Sequence, residues 1–129
     1  KFRVQEYFLF LGFVSRDEVF NLYENCFGVI TSTTYEAFSG AVLEAFRFKK
    51  PVLASNIKPI SSFLKSYSLK VTLFDPSNPN DIANSIQSFS TNYSDNLLNS
   101  LIANEKLKFI TPTYTVTSIK NICKNLNNS

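Results

Sequence analysis

The chain contains no histidine, no tryptophan and no methionine. Without histidine it lacks the one side chain that ordinarily titrates near neutral pH. Any acid–base or metal chemistry must therefore come from carboxylates, lysine, tyrosine or cysteine. The two cysteines, Cys26 and Cys123, are far apart in sequence and have no histidine to complete a set, which argues against a zinc site. Two such thiols fit a reducing cytoplasm. Long apolar runs are also missing. The segment Tyr7–Val14 is apolar but too short to span a bilayer, and no cleavage pattern follows it, so no signal peptide is expected. Dense charge is absent too. The net charge is +3, basic residues are scattered, and Lys49-Lys50 is the densest pair. That is too diffuse for a nucleic-acid partner, which wants a basic stripe. It reads as a solvated face, compatible with an anionic ligand or an acidic membrane surface.

What is present suffices for one small domain. The 129 residues are 44% hydrophobic, and 13 Phe and 6 Tyr supply bulky core candidates. Short apolar runs alternate with longer helical periodicity. Tyr7–Leu11, bounded by Gly12, reads as a strand. Ser15-Arg16-Asp17-Glu18 has the capping-box form and opens a helix with Val19, Phe20, Leu22, Tyr23 and Cys26 on its apolar face. Phe27–Thr31 reads as a buried strand, Ser32–Ser39 as a polar, aromatic loop, and Gly40–Phe48 as a helix apolar on most sides. Pro51–Ala54 is a third, central strand with its proline at the tolerated first position. Ile57–Ser66 is a short helix or turn and Lys70–Phe74 a fourth strand. Asp75–Pro79 is a turn, followed by a helix from Asn80 to about Phe89 with Ile82, Ala83, Ile86 and Phe89 on one face. Ser94 is expected to cap a helix to about Phe109. Thr111-Pro112 breaks it, Val116–Leu126 forms the last helix, and the tail 125–129 is polar.

Strand–helix alternation with strands buried on both faces argues an α/β class: a Rossmann-like parallel sheet flanked by helices. Ligands of such sheets bind at the carboxyl ends of the strands. That places Gly12–Ser15, Thr31–Gly40, Ser55–Pro59 and Asp75–Pro79 on the functional rim.

The chemistry concentrates in residues 33–46. Glu36 and Glu44 are separated by seven residues, the first in a loop after a strand and the second about one turn inside the next helix, with Ser39 and Gly40 between them. Free N–H groups at a helix start, with the positive end of its dipole, favour a phosphate. Gly40 lets a ligand approach the backbone. A carboxylate accepts two hydrogen bonds from a vicinal diol. The two glutamates could thus grip both ends of a nucleotide diphosphate sugar. The same residues admit a plainer reading. Thr33-x-x-Glu36 is itself a capping-box pattern, and Glu44 with Arg47 has the i,i+3 spacing of a surface ion pair.

This stretch resembles the Glu-x7-Glu signature of retaining GT-B glycosyltransferases of the glycogen-synthase-like superfamily (glycosyl transferases group 1). Thr33, Glu36, Phe38, Glu44 and Ala45 fall at or near the family's places. Phe10-Leu11-Gly12-Phe13-Val14 resembles its Phe-Leu-Gly strand, Leu22-Tyr23 its next helix, and Pro51-Val52-Leu53-Ala54-Ser55 its Pro-Val strand. Leu73-Phe74-Asp75-Pro76 with Asp81-Ile82-Ala83 and Ile86 resembles its late turn and helix. The likeness is collinear over about residues 7–126. It implies a catalytic Glu36 facing the donor sugar hydroxyls, with Phe38, Ser39 and Gly40 presenting backbone near sugar and diphosphate. Glu44 would hold the ribose diol, Leu43 would sit near the nucleoside, and Gly12 would border the phosphates. No metal and no cofactor are implied; the nucleotide-sugar is a substrate.

The family pattern is not met everywhere. Ser39 stands where Gly is frequent, Ser32 replaces a common Pro, and Lys49 replaces the usual Gly after the helix, so that C-cap must be made differently. A Gly and a Glu usual after the third strand are not evident; Lys58 and Ser61 stand nearby. The family's first two strands and its Arg…Lys diphosphate clamp are not in the sequence.

Residues 1–129 are therefore expected to be a partial GT-B C-terminal, donor-binding domain. It would comprise a Rossmann-like part over about 7–110 and a C-terminal helix over 111–126, inactive alone. The parent would be a hexosyltransferase transferring sugar from a nucleotide-sugar to a glycan or lipid-linked acceptor. Surface polysaccharide or glycolipid synthesis is the expected setting, in the cytoplasm or peripherally at the inner membrane face. The gap left by two strands would expose sheet edges that invite self-association, collapse of the first strand onto the next, or completion by material outside these residues. The rivals are a GT-B sugar-nucleotide epimerase, disfavoured because those use His and carboxylate sets, and a non-catalytic α/β binding module.

Overall fold

The computed structural model describes residues 5–37 and 39–110. Phe38, Cys123 and the expected helix over 116–126 lie outside the described residues. Helices and strands alternate in the order α1 (Arg16–Asn25), β1 (Val29–Thr31), α2 (Gly40–Arg47), β2 (Val52–Ser55), α3 (Lys58–Ser66), β3 (Thr72–Phe74), α4 (Pro79–Thr91) and α5 (Tyr93–Leu107). Single 3₁₀ turns occupy Gln5–Tyr7 and Lys108–Ile110.

The strands form a three-stranded parallel sheet in the order β1-β2-β3. Val29 pairs with Val52 and Thr31 with Ala54, while Leu53 pairs with Thr72 and Ser55 with Phe74. The central strand β2 is buried along its whole length, as Pro51 followed by an unbroken apolar run requires. Side chains alternate across it. Val52 and Ala54 join Val42, Ala45, Phe46, Ile60, Leu64, Ala103 and Leu107 in a core built by α2, α3 and α5. Leu53 points the other way, to Phe74 and Phe89 of α4. Helices thus cover both faces, and the arrangement is an α/β, Rossmann-like one. Val52 at 2% and Leu53 at 0% exposure meet the expectation for a doubly covered strand.

Other expectations need correction. Residues 7–11 form no strand: they continue from a 3₁₀ turn without pairing, and Tyr7, Leu9 and Phe10 stand exposed. A strand exists only through its ladder, and among the described residues no strand pairs with this segment. Neither does it collapse onto β1. For the same reason β1 is less buried than expected. Ile30, opposite Leu53, is 52% exposed, because α4 packs chiefly on β2 and β3. The inward face of α4 is Ile82, Ser85 and Phe89; Ala83 and Ile86 are exposed. The cap position of α5 is Asn92, not Ser94, and it makes no side-chain cap bond.

Gly28 precedes β1 because nothing larger fits there. A Cβ at that position would lie 2.8 Å and 2.9 Å from ring atoms of Phe89 and 3.2 Å from the Pro51 carbonyl oxygen. The missing side chain lets α4 close over the start of the sheet.

Candidate functional site

All three strands run in one direction, so their carboxyl ends share an edge. At that edge the Ser55 hydroxyl donates to the Thr31 carbonyl at 3.2 Å, and the Asn56 N–H donates to the Phe74 carbonyl at 2.7 Å. The loop 32–39 leaves β1 there and delivers the chain to α2, whose first residue is Gly40. Glu44 is four residues further on, about 6 Å along the helix axis at 1.5 Å per residue. Ser39, Gly40 and Glu44 therefore sit on one helix opening, with Glu36 in the loop leading to it.

Ser39 occupies the N-cap of α2 but does not cap it: its side chain accepts no hydrogen bond from the helix. The residue is 7% exposed, and its Oγ is buried without a partner. Glu36 shows the same feature, with Oε1 buried and unpartnered. Two buried polar atoms left unmet four positions or fewer from one helix start are unusual, since the large majority of buried side-chain polar atoms are satisfied. The capping-box alternative for Thr33 does not form. The Thr33 hydroxyl donates to the Tyr35 carbonyl at 2.9 Å, and no helix begins at Thr34. Nothing lies within 4 Å of a Cβ built at Gly40, so the space beside the helix opening is clear.

Glu44 is exposed and does not pair with Arg47; among the described residues the sole ion pair is Lys108 with Glu105. Its Oε2 instead accepts from the Tyr23 hydroxyl at 3.0 Å, reaching from α2 to α1. Partial burial, then the hydrogen bond and negative charge of Glu44, push the Tyr23 phenol up to about 12. The Tyr23 ring stacks on Phe48 with centroids 5.2 Å apart and planes 5° from parallel, and Phe20 packs on the same Phe48 at 5.4 Å. The sequence marks Tyr23 only as one of α1's apolar residues. Its bond to a glutamate 21 positions away carries no local signal.

The opposite end of α2 is saturated. Lys49 adopts φ 57°, the left-handed conformation that usually calls for glycine. Its N–H donates to the Phe46 carbonyl at 3.0 Å and the Lys50 N–H to Ala45 at 2.8 Å, the paired bonds of a Schellman motif. The Asn104 amide from α5 donates to the carbonyls of Phe46 and Arg47, at 3.0 Å and 3.3 Å.

Leu43 is partly buried against the main core. Gly12 has φ 66° in an exposed segment, with nothing within 4 Å of a Cβ built on it. Because residues 7–11 form no strand, Gly12–Ser15 does not follow a strand end as the rim assignment assumed. Beside α1 and β1 lies an open apolar groove of about 620 Å3 that includes Leu9, Leu22, Cys26, Val29 and Ile30. None of the expected site residues lines it. Among the described residues no three carboxylates or cysteines gather as a metal set, and no helix is long and apolar enough to cross a membrane.

A search of curated proteins found no match to the chain. The family described as glycosyl transferases group 1 matches residues 1–108. That match spans loop 32–39 and α2, with both glutamates, and most of the sheet and helices. The parallel α/β layers and the match over most of its length agree, and the chain belongs to the glycosyl transferases group 1 family.

Proposed function

We propose that this chain forms the donor-binding part of a retaining glycosyltransferase that uses a nucleotide-sugar, with the site at the opening of α2. The observation that carries the reading is the unmet pair, Glu36 Oε1 and the Ser39 hydroxyl, both buried at an uncapped helix N-terminus. A buried acceptor beside donors calls for a ligand with hydroxyls and negative charge in close proximity. A sugar joined to a diphosphate offers both.

The residues take roles that follow from their chemistry. The carboxylate of Glu36 accepts from donor-sugar hydroxyls and stabilises positive charge developing at the anomeric carbon as its bond to the diphosphate breaks. The first-turn N–H groups of α2, the Ser39 hydroxyl and the helix dipole meet the charge on the leaving diphosphate. The mechanism needs no metal for this. Glu44 accepts from the vicinal hydroxyls of ribose. Phe38 and Gly40 present backbone beside the sugar, Leu43 lies toward the nucleoside, and Gly12 borders the phosphates from the preceding segment. The acceptor is a glycan or lipid-linked hydroxyl, in surface polysaccharide or glycolipid synthesis at the cytoplasmic membrane face.

Calorimetric titration of the intact protein with UDP, GDP and their sugars tests the reading. Binding together with sugar transfer or slow donor hydrolysis supports it. Binding with no turnover makes the domain a non-catalytic module, and absence of binding to any nucleotide refutes the site.

A further inference from the structure

We infer that Tyr23 is a positioning residue, holding the Glu44 carboxylate in the orientation that receives the ribose diol. The inference rests on the proposed role of Glu44. An exposed glutamate on a helix has three side-chain torsions to fix before it can accept from two hydroxyls at once. Here one oxygen is already held, because the Tyr23 hydroxyl donates to Oε2 at 3.0 Å. A carboxylate offers about four lone-pair sites, so one phenol leaves Oε1 and part of Oε2 free for a diol.

The donor is itself fixed. Tyr23 lies in α1, its ring parallel to Phe48, and Phe48 is the C-cap of the helix that carries Glu44. Phe20, one turn earlier on α1, packs on the same ring. Tyr23 and Glu44 are thereby referred to a common frame, and the bond between them survives only while α1 stays docked on α2. The phenol keeps its proton throughout the neutral range, since partial burial and Glu44 raise it to about 12. It therefore acts as a donor and never as a competing anion.

Substitution of Tyr23 by Phe keeps the ring stack and removes only the hydroxyl. The test measures binding of UDP or GDP, whichever the intact protein binds more tightly, and of its 2′,3′-dideoxy counterpart. The proteins compared are wild type, Y23F, E44A and the double variant. Y23F is expected to weaken the ribonucleotide about three- to tenfold, the range for loss of one hydrogen bond. It should leave the dideoxy nucleotide unchanged and add nothing in the E44A background, the signature of a residue acting through another. Equal loss for both nucleotides would assign Tyr23 a purely structural role and overturn the inference, as would an unchanged ribonucleotide affinity in Y23F when E44A weakens it. If wild type binds both nucleotides equally, or E44A has no effect, then Glu44 does not hold the diol. That failure belongs to the underlying reading and removes the inference with it.

Discussion

Replacing Ser39 by alanine should stabilise the unliganded protein and weaken its grip on a nucleotide. At most helix starts the same change costs about 1 kcal/mol, because the hydroxyl caps a free N–H. At Ser39 there is no such bond to lose. The residue is 93% buried, from its 7% exposure, and its Oγ has no partner. An unmet buried hydroxyl costs about 1–3 kcal/mol. Alanine fits the same backbone and removes that cost. Taking the low end, to allow for relaxation and for changes in the unfolded chain, the expected gain is about 1 kcal/mol, or roughly 3–5 °C in Tm for a domain of this size. With a nucleoside diphosphate bound, the sign reverses. The hydroxyl then donates to a phosphate oxygen, and its loss should weaken binding by about fivefold, equivalent to about 1 kcal/mol. Thermal unfolding with and without saturating UDP or GDP reads both effects, because a ligand stabilises the native state in proportion to ln(1 + [L]/Kd). The variant should start higher and rise less. A lower starting Tm would show that the hydroxyl caps α2 after all. An equal rise with ligand would show that it does not face the diphosphate.

Lys49→Gly should raise stability by about 0.5–1 kcal/mol: the left-handed φ of 57° costs an L-residue about 1–2 kcal/mol, partly offset by glycine's greater freedom when unfolded. A lower urea midpoint would contradict this. Gly28→Ala should destabilise by about 1–3 kcal/mol, since the new methyl meets the Phe89 ring at 2.8 Å and the Pro51 carbonyl at 3.2 Å; unchanged unfolding would mean that α4 repacks freely. Glu44→Ala should raise donor KM more than it lowers kcat, a diol contact remote from the reacting carbon being largely uniform binding; unchanged values of both would remove Glu44 from the site. Tyr23 gives a pH signature. Its folded pKa of about 12 lies above the usual value near 10, so the associated stability is complete below about pH 10 and is lost as pH rises toward 12. Y23F should show a shallower loss of urea midpoint over that window, and identical alkaline profiles would refute the assignment.

Local chemistry was legible where the partner is local. Ser15 and Glu18 form both bonds of the capping box, the Ser15 N–H donating to Glu18 Oε2 at 2.8 Å and the Glu18 N–H to Ser15 Oγ at 3.3 Å. That pair also holds the Glu18 carboxyl below its ordinary range, through the Ser15 backbone first and its hydroxyl second. Pro51 and the run after it announced a central strand. Illegible features depended on distant partners. Residues 7–11 have a strand's composition, but pairing is a property of two segments. The periodicity of α4 correctly gave Ile82 and Phe89 but also Ala83 and Ile86, which are exposed, and it missed Ser85, which is buried with its hydroxyl 3.5 Å from the Leu73 carbonyl. Asn96 is buried for a similar reason: its amide donates to the Phe89 carbonyl at 3.1 Å and its oxygen accepts from Thr72 at 3.1 Å. A pattern that counts only apolar residues cannot register a polar one that has found its bonds. In the candidate site the glutamates and the helix opening were visible in sequence. The unmet state of Ser39 and the clasp from Tyr23 were not, because both depend on where the first helix and the loop come to rest.

The two ends of α2 differ in how fully their polar groups are met. At its C-terminus the carbonyls of residues 44–47 are all answered. Phe48 and Lys50 donate to the first two, Lys49 and Asn104 to Phe46, and Asn104 again to Arg47; the Lys50 carbonyl, just beyond, accepts from Ser100 at 2.7 Å. Asn104 and Ser100 both come from α5, which pins this end to the core. The N-terminus, at the carboxyl edge of the sheet, holds a residue of the right type to cap it, yet that residue does not. Its neighbours on the same edge differ. The Asn78 side chain does cap α4, accepting from Asn80 at 3.0 Å and Asp81 at 3.2 Å, and the cap position of α3 is Ile57, which has no polar atom to offer. Of the three helices that begin at this edge, α2 alone carries a cap-forming side chain that is buried and left unbonded. Were the hydroxyl merely surplus, alanine or glycine would serve better in an unliganded protein. On the proposed reading the hydroxyl serves a nucleotide-sugar that arrives from solution, and the saturated far end would hold the helix in place as that ligand binds and leaves.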